Sequence, residues 1–100
     1  MFNIRTDKTE TKLDIALEGV LDTKTSPELM KVITQNISDV TEVNFDFASL
    51  EFLTSAGLRA LLTARQEMDD KDGTMTIKNV SEDIMQIFKM TGFAEILTIN

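Results

Sequence analysis

The 100-residue sequence predicts one α/β domain over residues 1–100, in which helices cover a mixed sheet of about four to five strands. Two observations support this prediction. Apolar residues alternate with a period of two in some segments and recur with a period near 3.6 in others. The segments follow one another in the order β-β-α-β-α-β-α-β, and strands that alternate with helices form parallel sheets.

The first two strands are expected to form a hairpin, which would make the sheet mixed. Residues 2–6 (FNIRT) alternate, and residues 11–19 (TKLDIALEG) alternate again. The intervening DKTE at residues 7–10 suits a turn. Gly19 interrupts the second run, which indicates a bulge or a strand end.

A first helix is predicted to begin near Ser26. Ser26 can cap it, with Pro27 at the first helical position, where the missing N–H costs nothing. Alternatively, Thr25 caps the helix and Glu28 completes a capping box. Its apolar residues fall on one face: Leu29, Val32, Ile33 and Ile37.

The next strand and helix adjoin each other in the sequence. Residues 41–50 alternate as a strand, and a helix of roughly four turns is predicted from Ser55 to Asp70. Gly73 can adopt the left-handed conformation that ends it. The inner residues of the strand and the helix are predicted to be Val43, Phe45 and Phe47, and Leu58, Leu61, Leu62 and Met68.

The C-terminal third predicts a strand at residues 74–80, a third helix and a last short strand at residues 95–99. Ser81 can cap the third helix, and Thr91–Gly92 can end it. Its inner residues are predicted to be Ile84, Ile87 and Phe88. We interpret two methionines near Phe93, Met85 and Met90, as core or partly buried packing residues, with an adaptable partner surface as the alternative.

Composition excludes several functional classes. The sequence has no histidine and no cysteine, so a Ser-His dyad, a cysteine nucleophile and the usual zinc sites cannot be built. A net charge of −7 disfavours binding to nucleic acid or to anionic membranes. No segment has the length of an apolar membrane span or the apolar core of a signal peptide, so we expect a cytoplasmic protein. No cofactor or metal is predicted, because DDKDG fails the calcium-loop pattern at its first and last ligand positions.

The start of the second helix, FLTSAGLRALL, is richer in hydroxyl groups than a cap requires. Thr54 or Ser55 can be an ordinary capping residue. Yet ligands and modifications cluster where a strand's carboxyl end leads into a helix. A phosphate on Ser55 would be tolerated there, and Gly57 would let a partner's backbone or a phosphate approach closely.

This segment, after VNFDFASLE and GVLDTKTSPEL, resembles the STAS domain of bacterial anti-sigma factor antagonists, and the resemblance covers essentially the whole chain. It implies a protein without catalytic activity whose unmodified form binds an anti-sigma factor, usually a serine kinase of the GHKL type. The kinase phosphorylates a loop serine, and a phosphatase of the PP2C type reverses this. By position, Ser55 is the phosphoacceptor, with Thr54 a weaker candidate. Asp22 and Asp46 match acidic positions beside the loop.

The expected partner surface combines the serine loop, the Asp22 loop and the exposed side of the second helix. It comprises Asp22, Thr23, Asp46, Thr54, Ser55, Ala56, Gly57 and Arg59. One departure is that Thr54 stands where several antagonists have Asp. STAS domains also occur as subunits of lipid-transporting ABC systems and in stressosome assemblies. A second hypothesis is therefore permanent docking on such a scaffold, with Ser55 only a cap.

Overall fold

A computed structural model describes residues 2–100 of the chain. Its elements follow the predicted order, with one additional short helix near the C-terminus. They are β1 (Asn3–Thr9), β2 (Lys12–Leu21), α1 (Ser26–Asn36), β3 (Glu42–Leu53), α2 (Ser55–Asp70), β4 (Thr74–Lys78), α3 (Glu82–Thr91), α4 (Phe93–Ile96) and β5 (Thr98–Ile99). No helix within residues 2–100 combines the length and apolar character that crossing a membrane requires.

Within residues 2–100 the sheet has five strands in the order β1-β2-β3-β4-β5, and its strand directions confirm a mixed sheet. β1 is antiparallel to β2, and the remaining neighbours are parallel. Right-handed connections between parallel strands in chain order place every crossover helix on the same face. The burial pattern agrees, because Ile15 and Phe45 are buried while their neighbours Asp14 and Asn44 are only half-buried.

The core lies between the sheet and the helices. Phe47 packs against Phe45 edge to face with ring centroids 6.0 Å apart, and against Phe88 of α3 with centroids 6.4 Å apart. The apolar faces predicted for the strands are confirmed, and the inner faces of the helices include Leu29, Leu61 and Phe88. Leu62 and Ile87 are only partly buried, since they lie at the margins of their helical faces.

Several local predictions are confirmed. Gly19 has a φ of 97° and lies at a register shift between β2 and β3, as a bulge requires. The Ser81 hydroxyl accepts a hydrogen bond from the Ile84 N–H at 3.2 Å and so caps α3. Gly92 ends that helix with a φ of 83°, a left-handed conformation that favours glycine.

Other local predictions are wrong. The turn of the first hairpin lies at Glu10 and Thr11, because Asp7 to Thr9 continue the antiparallel ladder with β2. The left-handed residue after α2 is Asp72 rather than Gly73. Gly73 is required for a different reason, since a Cβ there would lie 2.8 Å from the Thr41 carbonyl oxygen.

The C-terminal segment also differs from the prediction. Residues 93–96 form the short helix α4, so the last strand contains only Thr98 and Ile99. Met90 is 82% exposed and is not a core residue, whereas Met85 packs partly against the core.

Neither of the two capping alternatives for α1 is realised. Thr25 occupies the N-cap position, but its hydroxyl makes no capping hydrogen bond and instead donates to the Val20 carbonyl at 2.8 Å. The Ser26 hydroxyl is buried and has no hydrogen-bond partner within residues 2–100. The Thr25 hydroxyl therefore anchors the loop to β2 instead of capping the helix.

Candidate functional site

The candidate site lies at the edge of the sheet where β2 and β3 end. Leu21 and Leu53 are paired at the ends of these parallel strands, and each strand then leads into a helix. The Thr54 N–H donates to the Leu21 carbonyl at 3.0 Å, which fixes the start of α2 against the end of β2. The loop after β2 and the first turn of α2 therefore lie side by side, as the parallel topology predicts.

The loop after β2 is organised by Asp22. Its Oδ1 atom accepts hydrogen bonds from two backbone N–H groups, that of Lys24 at 2.9 Å and that of Thr25 at 3.0 Å. The Thr25 hydroxyl accepts a hydrogen bond from the Asp22 N–H at 2.8 Å, which completes the turn. The hydrogen bond from the Thr25 N–H, supported by that from Lys24, holds the pKa of Asp22 below its ordinary value. Asp22 is therefore an ionised carboxylate at neutral pH, and its Oδ1 atom shapes the loop.

The two hydroxyl residues at the start of α2 have different environments. Ser55 is the first residue of the helix and is exposed. The Thr54 hydroxyl oxygen is shielded from solvent and has no hydrogen-bond partner within residues 2–100. Thr54 occupies the N-cap position, yet its side chain accepts no hydrogen bond from the helix. Of these two residues, Ser55 alone presents an exposed side chain for modification.

Gly57 faces the interior of the protein. It is buried, and a Cβ atom there would lie 2.8 Å from the Leu21 carbonyl oxygen and 3.0 Å from Leu21 Cγ. The space that the sequence suggested for a partner or a phosphate is therefore occupied by Leu21. The absence of a side chain at Gly57 allows α2 to pack closely on the end of β2.

A groove of about 270 Å³ runs between α1 and α2 beside the serine. Thr23 contributes to it from the loop after β2, and Ala56 and Arg59 contribute from α2. Arg59 is exposed, and no side-chain hydrogen bond or ion pair involves its guanidinium within residues 2–100. Thr23, Ala56 and Arg59 thus line one continuous groove, which reaches the first turn of α2, where Ser55 lies.

Asp46 is not part of this surface. It does not end its strand, because β3 continues to Leu53, and it pairs with Ala16 and Lys78 in the middle of the sheet. Asp46 lies seven residues before Leu53, which separates the two by roughly 20 Å along the strand. The Asn79 side-chain amide at 2.9 Å and the Ala48 N–H at 3.0 Å lower the pKa of Asp46.

Two residues that build the site are not predicted from the sequence. The Leu21 carbonyl accepts a hydrogen bond from the Thr54 N–H, and Leu21 packs against Gly57. Thr25 is predicted only as a helix cap, yet its hydroxyl holds the Asp22 loop. The spacing of Asp22 and Thr25, three residues apart, is typical of side chains that bond their own turn and was the available signal.

The site contains the Ser55 hydroxyl, the Asp22 carboxylate, which is fixed in its loop, and the Arg59 guanidinium, which forms no ion pair within residues 2–100. Within residues 2–100, no three carboxylates converge in a way that could hold a metal ion. A serine hydroxyl can be esterified by phosphate, and the added negative charge would then alter the surrounding surface.

Comparison with known proteins identifies the class to which this fold belongs. Residues 3–100 match the STAS domain, so the chain belongs to the STAS-domain family. It is similar to the anti-sigma-B factor antagonist of Staphylococcus aureus strain NCTC 8325, with 26% identity over 98% of this chain and 92% of that protein.

Two solved structures share the fold. One is an anti-sigma factor antagonist from Mycobacterium paratuberculosis, with a TM-score of 0.86, 18% identity and coverage of 99% of this chain and 85% of the other. The second is the Bacillus cell fate determinant SpoIIAA in its phosphorylated form, with a TM-score of 0.78 and 22% identity. That alignment covers 98% of this chain and 91% of the SpoIIAA chain.

Proposed function

We propose that this protein is an anti-sigma factor antagonist whose binding is switched by phosphorylation of Ser55. The unmodified form binds an anti-sigma factor that is a serine kinase of the GHKL type. The kinase phosphorylates Ser55 and ends the complex, and a PP2C-type phosphatase restores the binding form. Membership of the STAS family and the name of the staphylococcal relative support the antagonist role. The protein acts by binding in the cytoplasm and needs neither a cofactor nor a catalytic site of its own.

The observation that carries the proposal is the different accessibility of the two hydroxyl residues. Ser55 is exposed at the first position of α2, whereas the Thr54 hydroxyl is shielded. A phosphate on Ser55 adds about −1.5 to −2 charges to a surface that the partner must cover. Burying that charge requires desolvating it, which is costly without paired cations. Phosphorylation can therefore end binding while the fold remains intact.

The first experiment maps phosphosites by mass spectrometry on the protein isolated from its own cells, during growth and under stress. The proposal expects phosphate on Ser55, with an occupancy that differs between conditions, and none on Thr54. An unmodified Ser55 in every condition would overturn the switch. The remaining hypothesis would then be constitutive docking on an ABC-type lipid transporter or a stressosome-like scaffold.

The second experiment measures affinity for the anti-sigma factor kinase of the same cell. Protein carrying phosphoserine at position 55, introduced during synthesis, should bind much more weakly than unmodified protein. Phosphoserine introduced at position 38 is the matched control, because Ser38 is exposed just after the end of α1 that is remote from the serine loop. Equal affinity of the phosphorylated and unmodified forms would refute the mechanism.

A further inference from the structure

Arg59 lies one turn after Ser55 on α2. The two residues are four positions apart, so their side chains emerge from the same side of the helix. Their α-carbons are separated by about 6 Å along the helix axis. Arg59 is also the one cationic residue among the first ten residues of α2, positions 55–64.

The guanidinium of Arg59 is available for a new partner. It borders the groove between α1 and α2, and the residues that line that groove include no carboxylate. Arg65, on the same helix, is different. Its Nε donates to Asp69 Oδ1 at 3.1 Å, and its Nη1 donates to the Ile96 carbonyl at 2.6 Å. Of these two α2 arginines, Arg65 is engaged in holding the C-terminal segment and Arg59 is free.

We propose that a phosphate on Ser55 is held in cis by Arg59, and this inference rests on Ser55 being the modified residue. A guanidinium presents parallel N–H donors that match two phosphate oxygens, and such charge-assisted pairs are stronger than neutral hydrogen bonds. Oppositely charged side chains at positions i and i+4 of a helix are already neighbours. The pair therefore forms without movement of the backbone.

The pair gives phosphorylation a second effect on the binding surface. The modification adds a dianion at Ser55, and it also withdraws the Arg59 guanidinium from any partner group that contacts it in the unmodified state. A partner that uses an acidic group to contact Arg59 therefore loses that contact and meets the phosphate as well. The switch then depends on both residues, although only Ser55 is modified.

The test uses protein with phosphoserine inserted at position 55 during synthesis, so it needs no kinase. Urea unfolding is measured for four species: wild type and Arg59→Gln, each with serine or phosphoserine at position 55. The unfolding equilibrium constant should show a coupling of roughly two- to five-fold between the phosphate and Arg59. The coupling should shrink in 1 M salt, because exposed charges are then screened.

Arg65→Gln is the matched control, since it removes an arginine of the same helix whose partners are already assigned. Its effect on unfolding should be the same with and without the phosphate. A direct readout on the wild-type sequence is the Arg59 Nε–H resonance, which should shift when phosphoserine replaces Ser55.

Additive effects of phosphate and Arg59→Gln, together with an unshifted Arg59 Nε–H resonance, would overturn the pair. This failure is distinct from failure of the proposed function. Coupling in the synthetic phosphoprotein supports the pair even where Ser55 is unmodified in cells. Phosphate found on Ser55 in cells, without coupling, would leave the switch in place and remove Arg59 from it.

Discussion

Gly57 and Leu21 meet so closely that a side chain at Gly57 would collide with the main chain of β2. A Cβ atom would lie 2.8 Å from the Leu21 carbonyl oxygen, and that oxygen already accepts the Thr54 N–H at 3.0 Å. Leu21 therefore determines both where α2 begins and how closely its first turn packs. Because Ser55 lies in that turn, this contact also fixes the position of the candidate phosphoacceptor.

Gly57→Ala should destabilise the fold by about 1–2 kcal/mol, since an added methyl group in a filled space forces backbone or side-chain shifts. Alanine favours a helix over glycine by up to about 1 kcal/mol, so any net loss is evidence of the collision. Urea unfolding measures the effect. Ser55→Ala in the same turn is the control and should change the free energy of unfolding by less than about 0.5 kcal/mol. A Gly57→Ala protein as stable as wild type would show that the first turn can move away from Leu21.

Thr54→Val should leave stability unchanged or raise it slightly. Within residues 2–100 the Thr54 hydroxyl is buried and has no hydrogen-bond partner. The Thr54 backbone is extended, with φ −106° and ψ −178°, which suits a β-branched side chain. Replacing an unsatisfied buried hydroxyl by a methyl group of similar size removes a desolvation cost.

The matched control for Thr54→Val is Thr25→Val. The Thr25 hydroxyl donates to the Val20 carbonyl and accepts the Asp22 N–H. Removing the Thr25 hydroxyl should lower the free energy of unfolding by about 1–3 kcal/mol, because the Asp22 N–H and the Val20 carbonyl lose their hydrogen-bond partner. Equal losses for the two variants, measured by urea unfolding, would mean that the Thr54 hydroxyl is hydrogen-bonded after all.

The sequence predicted those features of the fold that depend on local pattern. The alternation in β2 and the apolar periodicity of α2 located both elements, because each pattern extends over many residues. The juxtaposition of Asp22 and Ser55 was also predictable, since parallel strands end at the same edge of a sheet. The position of the turn in the first hairpin was not predictable. Asp7, Lys8 and Thr9 belong to β1 because they pair with β2, and their local propensity does not indicate a strand.

The site was predicted less completely, for reasons that involve distant contacts. Register shifts allow β3 to continue past Ala48 and Ser49, where the alternation breaks, and this carries Asp46 away from Ser55. The shielding of the Thr54 hydroxyl and the contact between Gly57 and Leu21 both result from packing between separate elements. No pattern within the segment TSAG distinguishes a buried hydroxyl from an exposed one.

Asp22 should make the stability of the protein depend on pH in the acid range. The N–H groups of Thr25 and Lys24 lower its pKa in the folded state, whereas the unfolded chain has the ordinary value of about 3.9. The stabilisation is therefore fully present above that unfolded value and is lost as the pH falls through the lower folded pKa. Asp22→Asn should make the stability of the protein depend less on pH, because the amide does not titrate.

Urea midpoints between pH 6 and pH 2.5 test this prediction for Asp22. Asp39 and Asp46 also have lowered pKa values, through Lys8 and through Asn79 respectively, so the Asp22→Asn protein should retain part of the slope. Thr23→Ala is the control, because Thr23 is exposed in the same loop and carries no carboxylate, and it should follow the wild-type profile. Identical slopes for wild type and Asp22→Asn would show that the Asp22 carboxylate contributes nothing to the loop.

Lys71→Met should destabilise the end of α1 that is remote from the serine. The Lys71 ammonium donates to the Ile37 carbonyl, and to the Ser38 and Val40 carbonyls at 3.2 Å each. It therefore satisfies carbonyl groups at the end of α1 and places a cation at the negative end of the helix dipole. Methionine keeps the apolar length of the side chain but has no N–H, so the free energy of unfolding should fall by about 1–2 kcal/mol.

Lys31→Met is the control. Lys31 is exposed on α1 itself, and its replacement should change the free energy of unfolding by less than about 0.5 kcal/mol. Urea unfolding compares the two variants, and equal midpoints would show that the ammonium does not hold α1 against the end of α2.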